Sequence, residues 1–301
     1  MKYNRLGNSE LLVSEIGIGG MSLPSDAVGN SKAIIHQAFD YGVNFFDTAD
    51  LYDRGANEVL LGKALQGLRD KVILATKVGN QWQEGVEGWR WNPSRVYILQ
   101  AIEQSLKRLN TDYIDLYQLH GGTNADNFDE IVETFELLVQ QGKIRYYGIS
   151  SIRPNVFRKY LQQSGIVSNM MQYSILDTRP EESFRDFEEK GVSIIARGSM
   201  AQGLLLNKVP AKSYLDHTVG DIQEVKAFVD VASKKLGISR QAVALKYCLD
   251  KPVVSSALAG IRTLEQLEQL LHSHAELAGI ADERVESYFS SLPKLVYKEH
   301  R

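Results

Sequence analysis

The chain has 301 residues, of which 44% are hydrophobic and 24% charged, and its formal net charge is −3. This is an ordinary globular composition, and with Cys248 as the one cysteine it excludes a disulfide framework and a cysteine-based metal cluster. A basic stripe and an apolar run of about 20 residues are both missing, so we expect a cytoplasmic protein without nucleic-acid or membrane partners.

Short apolar runs alternate with longer segments of helical period along the chain. The predicted strands are 16–19, 43–46, 72–75, 113–119, 144–149, 167–173, 192–196 and 253–258. The first helix carries Ile34, Ile35, Ala38 and Phe39 on one face, with Ser31 as its N-cap and Gly42 as its stop. The later helices are predicted near 59–65, 98–109, 128–139, 156–161, 181–189, 222–236, 239–249 and 264–271. The helix at 98–109 is entered through Pro93 and Ser94, and Asn127 with Glu130 comes close to a capping box before 128–139.

Eight strand-then-helix units predict parallel strands, because each return to the next strand needs a crossover. Eight units in this length fit one closed (β/α)8 TIM barrel spanning 1–301, and an open doubly wound sheet is the alternative. Residues 2–13 predict a hairpin, turned at Gly7-Asn8, that plugs the N-terminal end of the barrel. The helix at 222–236 is an insertion between strand seven and barrel helix seven, and the tail 280–301 is expected to be helical and then solvated.

Polar side chains stand where three neighbouring strands end, which is the end at which such barrels hold their chemistry. Asp47 ends strand two with Tyr52 shortly after it, Lys77 ends strand three, and His120 follows strand four. Taken singly, each has a structural explanation as a helix cap, a solvated cation, a structural histidine or a half-buried aromatic. Their convergence on one rim favours a catalytic interpretation.

These four residue types support one kind of reaction. A phenol is a poor acid near neutral pH, because its pKa is about 10, and a nearby ammonium stabilises the phenolate and lowers that pKa. A carboxylate would hold the ammonium in place, and an imidazole would orient the substrate oxygen. Turning a carbonyl into an alkoxide also needs a hydride, which no side chain supplies, so we expect a nicotinamide cofactor and no metal.

The motifs around these residues resemble those of the aldo-keto reductase family. They are 45–52 (Phe-Phe-Asp-Thr-Ala-Asp-Leu-Tyr) with 58–62 downstream, 112–117 running into His120, 142–145 running into Gly148, and 5–7. The resemblance covers about residues 2 to 275 and implies an NADPH-dependent reductase of small aldehydes, ketones or dicarbonyls. It assigns the proton donor to Tyr52, the tuning of that donor to Lys77, the partner of Lys77 to Asp47 and the orientation of the carbonyl to His120.

The same resemblance implies a cofactor site with some departures from the family pattern. Arg197 stands where many members have a tyrosine that stacks on nicotinamide, and a planar guanidinium can also stack. Arg262 could pair with a 2′-phosphate, which together with family habit favours NADPH over NADH. Leu270 replaces the usual adenine-contacting asparagine, with Gln269 before it. The implied cofactor residues are Ser150, Ser151, Gln172, Arg197, Gly198, Ser199, Gly203, Leu204, Gly260, Arg262, Thr263, Gln266 and Gln269.

All three tryptophans, Trp82, Trp89 and Trp91, lie in the loop between Lys77 and Pro93. They form either an apolar wall for the substrate or the packing of a loop against its own barrel. The run at 17–20 (Gly-Ile-Gly-Gly) lacks the spacing of a dinucleotide fingerprint and is either tight packing near the cofactor or a simple loop.

Two other functions remain compatible with the sequence. One is a cofactor-binding sensor or accessory subunit with little turnover. The other is a barrel isomerase or lyase with Lys77 as a Schiff base, which would need an apolar pocket around the amine and is disfavoured by the expected Asp47 partner.

Overall fold

The computed structural model describes residues 1–24 and 28–301. The strands in chain order are β1 (Tyr3–Arg5), β2 (Leu12–Ser14), β3 (Ile16–Gly19), β4 (Phe45–Asp47), β5 (Ile73–Val78), β6 (Asn80–Gln81), β7 (Arg90–Trp91), β8 (Ile114–Leu119), β9 (Ile144–Ile149), β10 (Ser168–Gln172), β11 (Ser193–Arg197) and β12 (Val254–Gly260). The α-helices are α1 (Val28–Asp40), α2 (Ala56–Ala64), α3 (Arg95–Leu109), α4 (Phe128–Gln140), α5 (Pro154–Gln163), α6 (Phe184–Lys190), α7 (Val219–Leu236), α8 (Arg240–Leu249) and α9 (Leu264–Glu276).

Eight of these strands form a closed barrel in the order β10-β11-β12-β3-β4-β5-β8-β9. All eight neighbouring pairs are parallel, and β12 pairs with β3 to close the ring. The helices lie outside it, so the predicted (β/α)8 barrel is confirmed and the open sheet is wrong. The predicted extra helix is α7, which lies between β11 and the barrel helix α8.

The N-terminal hairpin, β1 and β2, covers the end of the barrel at which the strands begin. Leu6, Leu11 and Val13 are almost fully buried and join an apolar cluster with inward-facing strand residues. Each fully buried leucine contributes roughly 1.5–3 kcal/mol. Gly7 forms the turn with φ +55°, and a Cβ there would lie 2.2 Å from the Val167 carbonyl oxygen, so the turn requires glycine. The predicted plug is therefore present.

Several predicted helix ends are confirmed and one is wrong. Ser94 caps α3 by accepting from the Tyr97 amide, and Asn127 caps α4 by accepting from the Glu130 amide. Ser31 is not the N-cap of α1, because this helix begins at Val28 and the Ser31 hydroxyl donates to the Pro24 carbonyl.

The C-terminal segment differs from the prediction. Leu277–Ile280 and Val285–Phe289 form 3₁₀ turns rather than an α-helix. The last residues are attached to the barrel, since Tyr297 is 5% exposed and lies against Phe157, and the Leu295 amide donates to the Thr178 hydroxyl. The basic side chains of Lys294, Lys298 and Arg301 are exposed, in agreement with a solvated tail, and each also makes an ion pair. Within the described ranges, no helix has both the length and the apolarity that crossing a membrane requires.

Candidate active site

Side-chain alternation along the strands explains why polar groups meet at one mouth of the barrel. Phe45, Ala75 and Leu116 point inward and belong to the apolar cluster above the hairpin plug. Two residues further along β4, β5 and β8, the same face carries Asp47, Lys77 and Gln118. The barrel interior therefore changes from apolar to polar where these three neighbouring strands end.

The centre of the site is a buried ion pair. Lys77 Nζ lies 2.6 Å from Asp47 Oδ2, and the two side chains are only 1% and 4% exposed. The same nitrogen donates to the Thr48 carbonyl at 2.8 Å and to the Tyr52 hydroxyl at 3.4 Å. Burial is the largest single influence and would lower the pKa of Lys77, but the charges and hydrogen bonds of Asp47 and Tyr52 together outweigh burial and hold that pKa above its usual value. Lys77 is therefore a fixed cation beside the Tyr52 oxygen.

Gln118 completes the support of this pair. Its Nε2 donates to Asp47 Oδ1 at 3.2 Å, so each oxygen of the carboxylate has its own donor. A buried charge is tolerated only when it is paired and hydrogen-bonded, and Gln118 supplies the second bond. We missed this residue in the sequence, although its position two before His120 in a strand could have placed it on the inward face.

His120 faces Tyr52 across the mouth. The two rings meet edge to face, with centroids 5.9 Å apart. Burial, followed by the charges of Lys77 and Arg197, lowers the pKa of His120 to about 3, so the imidazole is neutral at ordinary pH. Its buried Nδ1 has no hydrogen-bond partner within residues 1–24 and 28–301. All four residues predicted as a catalytic group are thus brought together.

Tyr52 opens a turn with an unusual backbone. Asp53, Arg54 and Gly55 have φ values of 48°, 52° and 85°, so three consecutive residues lie in the left-handed region. This conformation costs about 1–2 kcal/mol for each residue with a Cβ, and it persists only where the surroundings impose it. At Gly55 a Cβ would also lie 2.8 Å from the Arg108 side chain of α3. We refer to residues 53–55 as the left-handed turn.

The ends of β9, β10 and β11 carry polar groups suited to an amide ligand. Gln172 Nε2 donates to the Tyr214 hydroxyl at 2.9 Å, and its Oε1 accepts from Arg197 at 3.2 Å. Ser150 lies at the end of β9, whereas the Ser151 hydroxyl accepts from the Arg153 amide and is engaged in its own loop. Arg197 is exposed, as expected of a group that could stack on a bound ring. Tyr214 was missed because a loop distant in sequence brings it to Gln172.

Residues 198–204, which follow β11, form a tight turn after Arg197. Gly198 and Gly203 have φ values of +74° and +86°, and Ala201 and Gln202 between them are also left-handed. Ser199 is 1% exposed, and Leu204 is buried against the core. These residues directly follow Arg197 in the chain, where the wrapping loop is expected.

Gly260 and the start of α9 bound the site on its other side. Gly260 pairs with Gly19 of β3, and a Cβ on Gly260 would lie 2.5 Å from the Ser22 hydroxyl. Thr263 caps α9, whose first-turn amides can bind a phosphate. The exposed Arg262 side chain lies beside this helix end. With the amide-binding groups at β9–β11, this donor set fits a nicotinamide dinucleotide.

Two glutamines predicted for the cofactor have local partners. Gln266 Oε1 accepts from the Arg262 amide at 2.9 Å, and Gln269 donates to Glu265 at 3.3 Å. Gln266 thus shapes the loop before α9, and both side chains would need to exchange these partners to contact a ligand.

The three tryptophans have different surroundings. Trp91 lies in β7, where its ring packs against Gly79 and Gly121 and its Nε1 donates to Asp126. Trp82 is half-buried and its Nε1 donates to the Asp50 carbonyl at 3.0 Å, two residues from Tyr52. Trp89 is 56% exposed. The contacts favour a packing role for Trp91 and leave Trp82 as the tryptophan beside the mouth.

Comparison with known proteins gives a consistent result. A family model described as the aldo/keto reductase family matches residues 15–285. A Bacillus subtilis protein named uncharacterized oxidoreductase YqkF is 43% identical over 309 aligned positions covering 100% of both chains. An aldo-keto reductase of Bacillus halodurans in its holo form is 44% identical with a TM-score of 0.88, and its apo form is 39% identical with a TM-score of 0.79. Both comparisons cover 100% of this chain and 99% of the other.

Proposed function

The chain belongs to the aldo/keto reductase family, and from this premise we propose that it reduces aldehydes, ketones or dicarbonyls to alcohols with NADPH. The observation that carries the proposal is the buried cation of Lys77, 3.4 Å from the hydroxyl of Tyr52 and 2.6 Å from Asp47. This arrangement suits a phenol that releases a proton, because the ammonium stabilises the phenolate left behind.

Each residue has a distinct part in the proposed reaction. A reduced nicotinamide bound at this mouth would supply the hydride to the carbonyl carbon. The neutral His120 imidazole would orient the carbonyl oxygen, and the Tyr52 hydroxyl would give that oxygen its proton as negative charge develops. Asp47, itself held by Gln118, keeps Lys77 in place.

The cofactor would be held from both sides of the mouth. We assign the carboxamide to Ser150 and Gln172, ring stacking to Arg197, and the phosphates to the α9 N-terminus and the loop after β11. The exposed Arg262 guanidinium is the group that would bind a 2′-phosphate, and we propose NADPH rather than NADH mainly because of the habit of the family and secondarily because of this residue.

We further propose that Trp82 forms part of the substrate wall. We treat residues 1–301 as one catalytic domain acting on small carbonyl compounds in the cytoplasm. The net charge of −3 and the ordinary composition support small-molecule chemistry over nucleic-acid binding.

The test is a spectrophotometric screen of aldehydes, dicarbonyls and sugars with both reduced nicotinamides, followed by Tyr52→Phe. We expect Tyr52→Phe to retain NADPH binding and to lose about 10²- to 10⁴-fold in kcat, because it lacks the proton donor. Tyr3→Phe, which removes an exposed hydroxyl bonded to Gly42 at the other end of the barrel, is the matched control and should keep the wild-type rate.

Other outcomes would replace the proposal. Tight NADPH binding with no acceleration of its oxidation by any carbonyl would indicate a sensor or accessory subunit. Covalent trapping of a substrate on Lys77 by borohydride would indicate Schiff-base chemistry. The ion pair with Asp47 argues against the latter, since a Schiff base forms from a neutral amine.

A further inference from the structure

Asp50 is a buried carboxyl group for which the proposed reaction gives no role. It is 2% exposed, and its Oδ2 accepts a hydrogen bond from the Tyr97 hydroxyl of α3 at 2.9 Å. Its Oδ1 is buried without a hydrogen-bond partner in the described part of the chain. A buried carboxyl group is costly unless it is bonded, so Asp50 depends strongly on Tyr97.

The backbone of Asp50 joins two further segments of the mouth. Its amide donates to the Lys77 carbonyl at 3.3 Å, and its carbonyl accepts from Trp82 Nε1 at 3.0 Å. Asp50 is therefore tied to β5, to the tryptophan loop and, through Tyr97, to α3. Tyr52 follows two residues later.

The left-handed turn on the other side of Tyr52 needs such external support. The Arg54 guanidinium donates to the Val86 carbonyl at 3.2 Å, and Gly55 packs on Arg108 of α3. A strained backbone conformation relaxes when the contacts that impose it are lost. Tyr52 thus lies between a strained turn on one side and the Asp50 contacts on the other.

We propose that the hydrogen bond between Asp50 and Tyr97, here called the Asp50–Tyr97 latch, positions the Tyr52 hydroxyl against Lys77 and His120. Both members are positioning residues and act through the backbone of 50–55. The part of the proposal that concerns Tyr52 rests on the proposed function. The part in which the latch stabilises the left-handed turn does not depend on that function.

The latch lies among ionisable groups from several elements. Glu58 of α2, Arg108 of α3 and Tyr117 of β8 face the same cluster as Asp50 and Tyr97. Burial, followed by the charge of Glu58, raises the pKa of Asp50 to about 7. A carboxylate accepts a stronger bond from Tyr97 than a carboxylic acid does, so the latch is tighter above this pH. The bond from Tyr97 also lowers the pKa of Asp50, so this bond and the charged form of Asp50 stabilise each other.

The experiment compares wild type, Tyr97→Phe, Asp50→Asn and the double variant, with Tyr147→Phe as the control. Tyr147 of β9 is a buried tyrosine that likewise donates to a carboxylate, that of Glu136 in α4, but this pair is not connected by hydrogen bonds to residues 50–55. Steady-state aldehyde reduction at saturating NADPH from about pH 6 to pH 9 gives kcat and KM. The initial rate of trypsin cleavage after the exposed Arg54, without cofactor, reports opening of the left-handed turn.

For Tyr97→Phe we expect kcat about tenfold lower with KM changed less than about twofold, and cleavage at Arg54 about tenfold faster. The wild-type kcat should rise with pH through about 7. Both Asp50→Asn and Tyr97→Phe should lack this rise, because the first has no carboxyl group to ionise and the second has no bond to strengthen. The double variant should be no worse than Tyr97→Phe alone, because Asp50→Asn weakens the same bond that Tyr97→Phe removes. Tyr147→Phe should keep the wild-type kcat, pH profile and cleavage rate.

The latch proposal would be overturned if Tyr97→Phe kept the kcat and the Arg54 cleavage rate of the wild type. It would also be overturned if the fold-losses in kcat of the two single variants multiplied in the double variant. If the wild-type protein reduces no carbonyl compound, the proposed function fails, and the cleavage rates alone decide the latch. In that case, faster cleavage in both Tyr97→Phe and Asp50→Asn, but not in Tyr147→Phe, supports it, and unchanged cleavage overturns it.

Discussion

Replacing Lys77 by methionine tests the electrostatic core of the site while retaining most of the side-chain volume. The ammonium lies 3.4 Å from the Tyr52 oxygen, so at an effective dielectric constant of about 20 it stabilises a full phenolate by about 5 kcal/mol. If about half of the charge has developed in the transition state, the loss is about 2.5 kcal/mol. We therefore expect kcat to fall on the order of 10²-fold.

Lys77→Met also affects folding, and this effect must be separated from catalysis. The variant leaves the Asp47 carboxylate buried with only Gln118 as its donor, which costs about 3–5 kcal/mol. The double variant Asp47→Asn/Lys77→Met removes the stranded charge and should recover most of this stability without recovering kcat. Urea unfolding monitored by tryptophan fluorescence measures the change in stability, and single-turnover NADPH oxidation measures the change in catalytic rate.

The matched control for this prediction is Lys246→Met. Lys246 Nζ lies 2.7 Å from Asp250 Oδ1, and its side chain is 7% exposed, but the pair lies on α8 outside the barrel. This variant should lose stability and retain the wild-type kcat per folded molecule. A Lys77→Met protein that binds NADPH normally and keeps kcat within about threefold of wild type would refute the electrostatic argument.

Three further outcomes are expected. Arg262→Ala should raise the Kd of NADPH about tenfold and that of NADH less than about twofold in fluorescence titrations; equal losses would remove the 2′-phosphate role. Burial favours the neutral form of Glu15, but the hydrogen bond and charge of His274, together with Lys2, outweigh burial and lower the pKa of Glu15 below its usual 4.5. Wild type should therefore exceed Glu15→Gln in stability by about 1 kcal/mol above pH 4.5, and this advantage should disappear as the pH falls through the lower folded-state pKa; a constant difference in urea unfolding down to about pH 3 would contradict this. A Cβ on Gly62 would lie 2.6 Å from a backbone carbonyl at the end of α3, so Gly62→Ala should destabilise by about 1–3 kcal/mol, whereas the matched helical change Gly220→Ala should be neutral or stabilising by up to about 1 kcal/mol in the same assay.

The barrel could be predicted because its signals are local and repeat along the chain. Apolar strands, helical faces and caps such as Ser94 depend on residues a few positions apart, and eight repeats compensate for errors at single boundaries. Ser31 shows where prediction from local signals fails, since a serine before an apolar face is a good cap candidate, yet α1 begins three residues earlier. The C-terminal tail shows a second failure, because the burial of Tyr297 depends on contact with the distant Phe157.

The site, like the barrel, was predictable only where its residues follow from the repeating strand pattern. Asp47, Lys77 and His120 are strand-end residues, so the parallel topology alone brings them together. The supporting contacts of Asp50 with Tyr97, and of Gln172 with Tyr214, join residues 47 and 42 positions apart through loops and helix faces. No periodicity encodes such pairs. The sequence therefore indicates which groups meet at the mouth of the barrel but not which contacts hold them there.

The N-terminal hairpin also constrains how the protein is made. It is synthesised before the barrel strands, yet Asn4 bonds to Ser255, 251 residues later, and β3 pairs with β12. Until β12 has been synthesised, the barrel end that Leu6 and Leu11 cover is incomplete. Closure is therefore a late event of high contact order, and a nascent chain stalled before β12 would expose this apolar surface to chaperones or to aggregation.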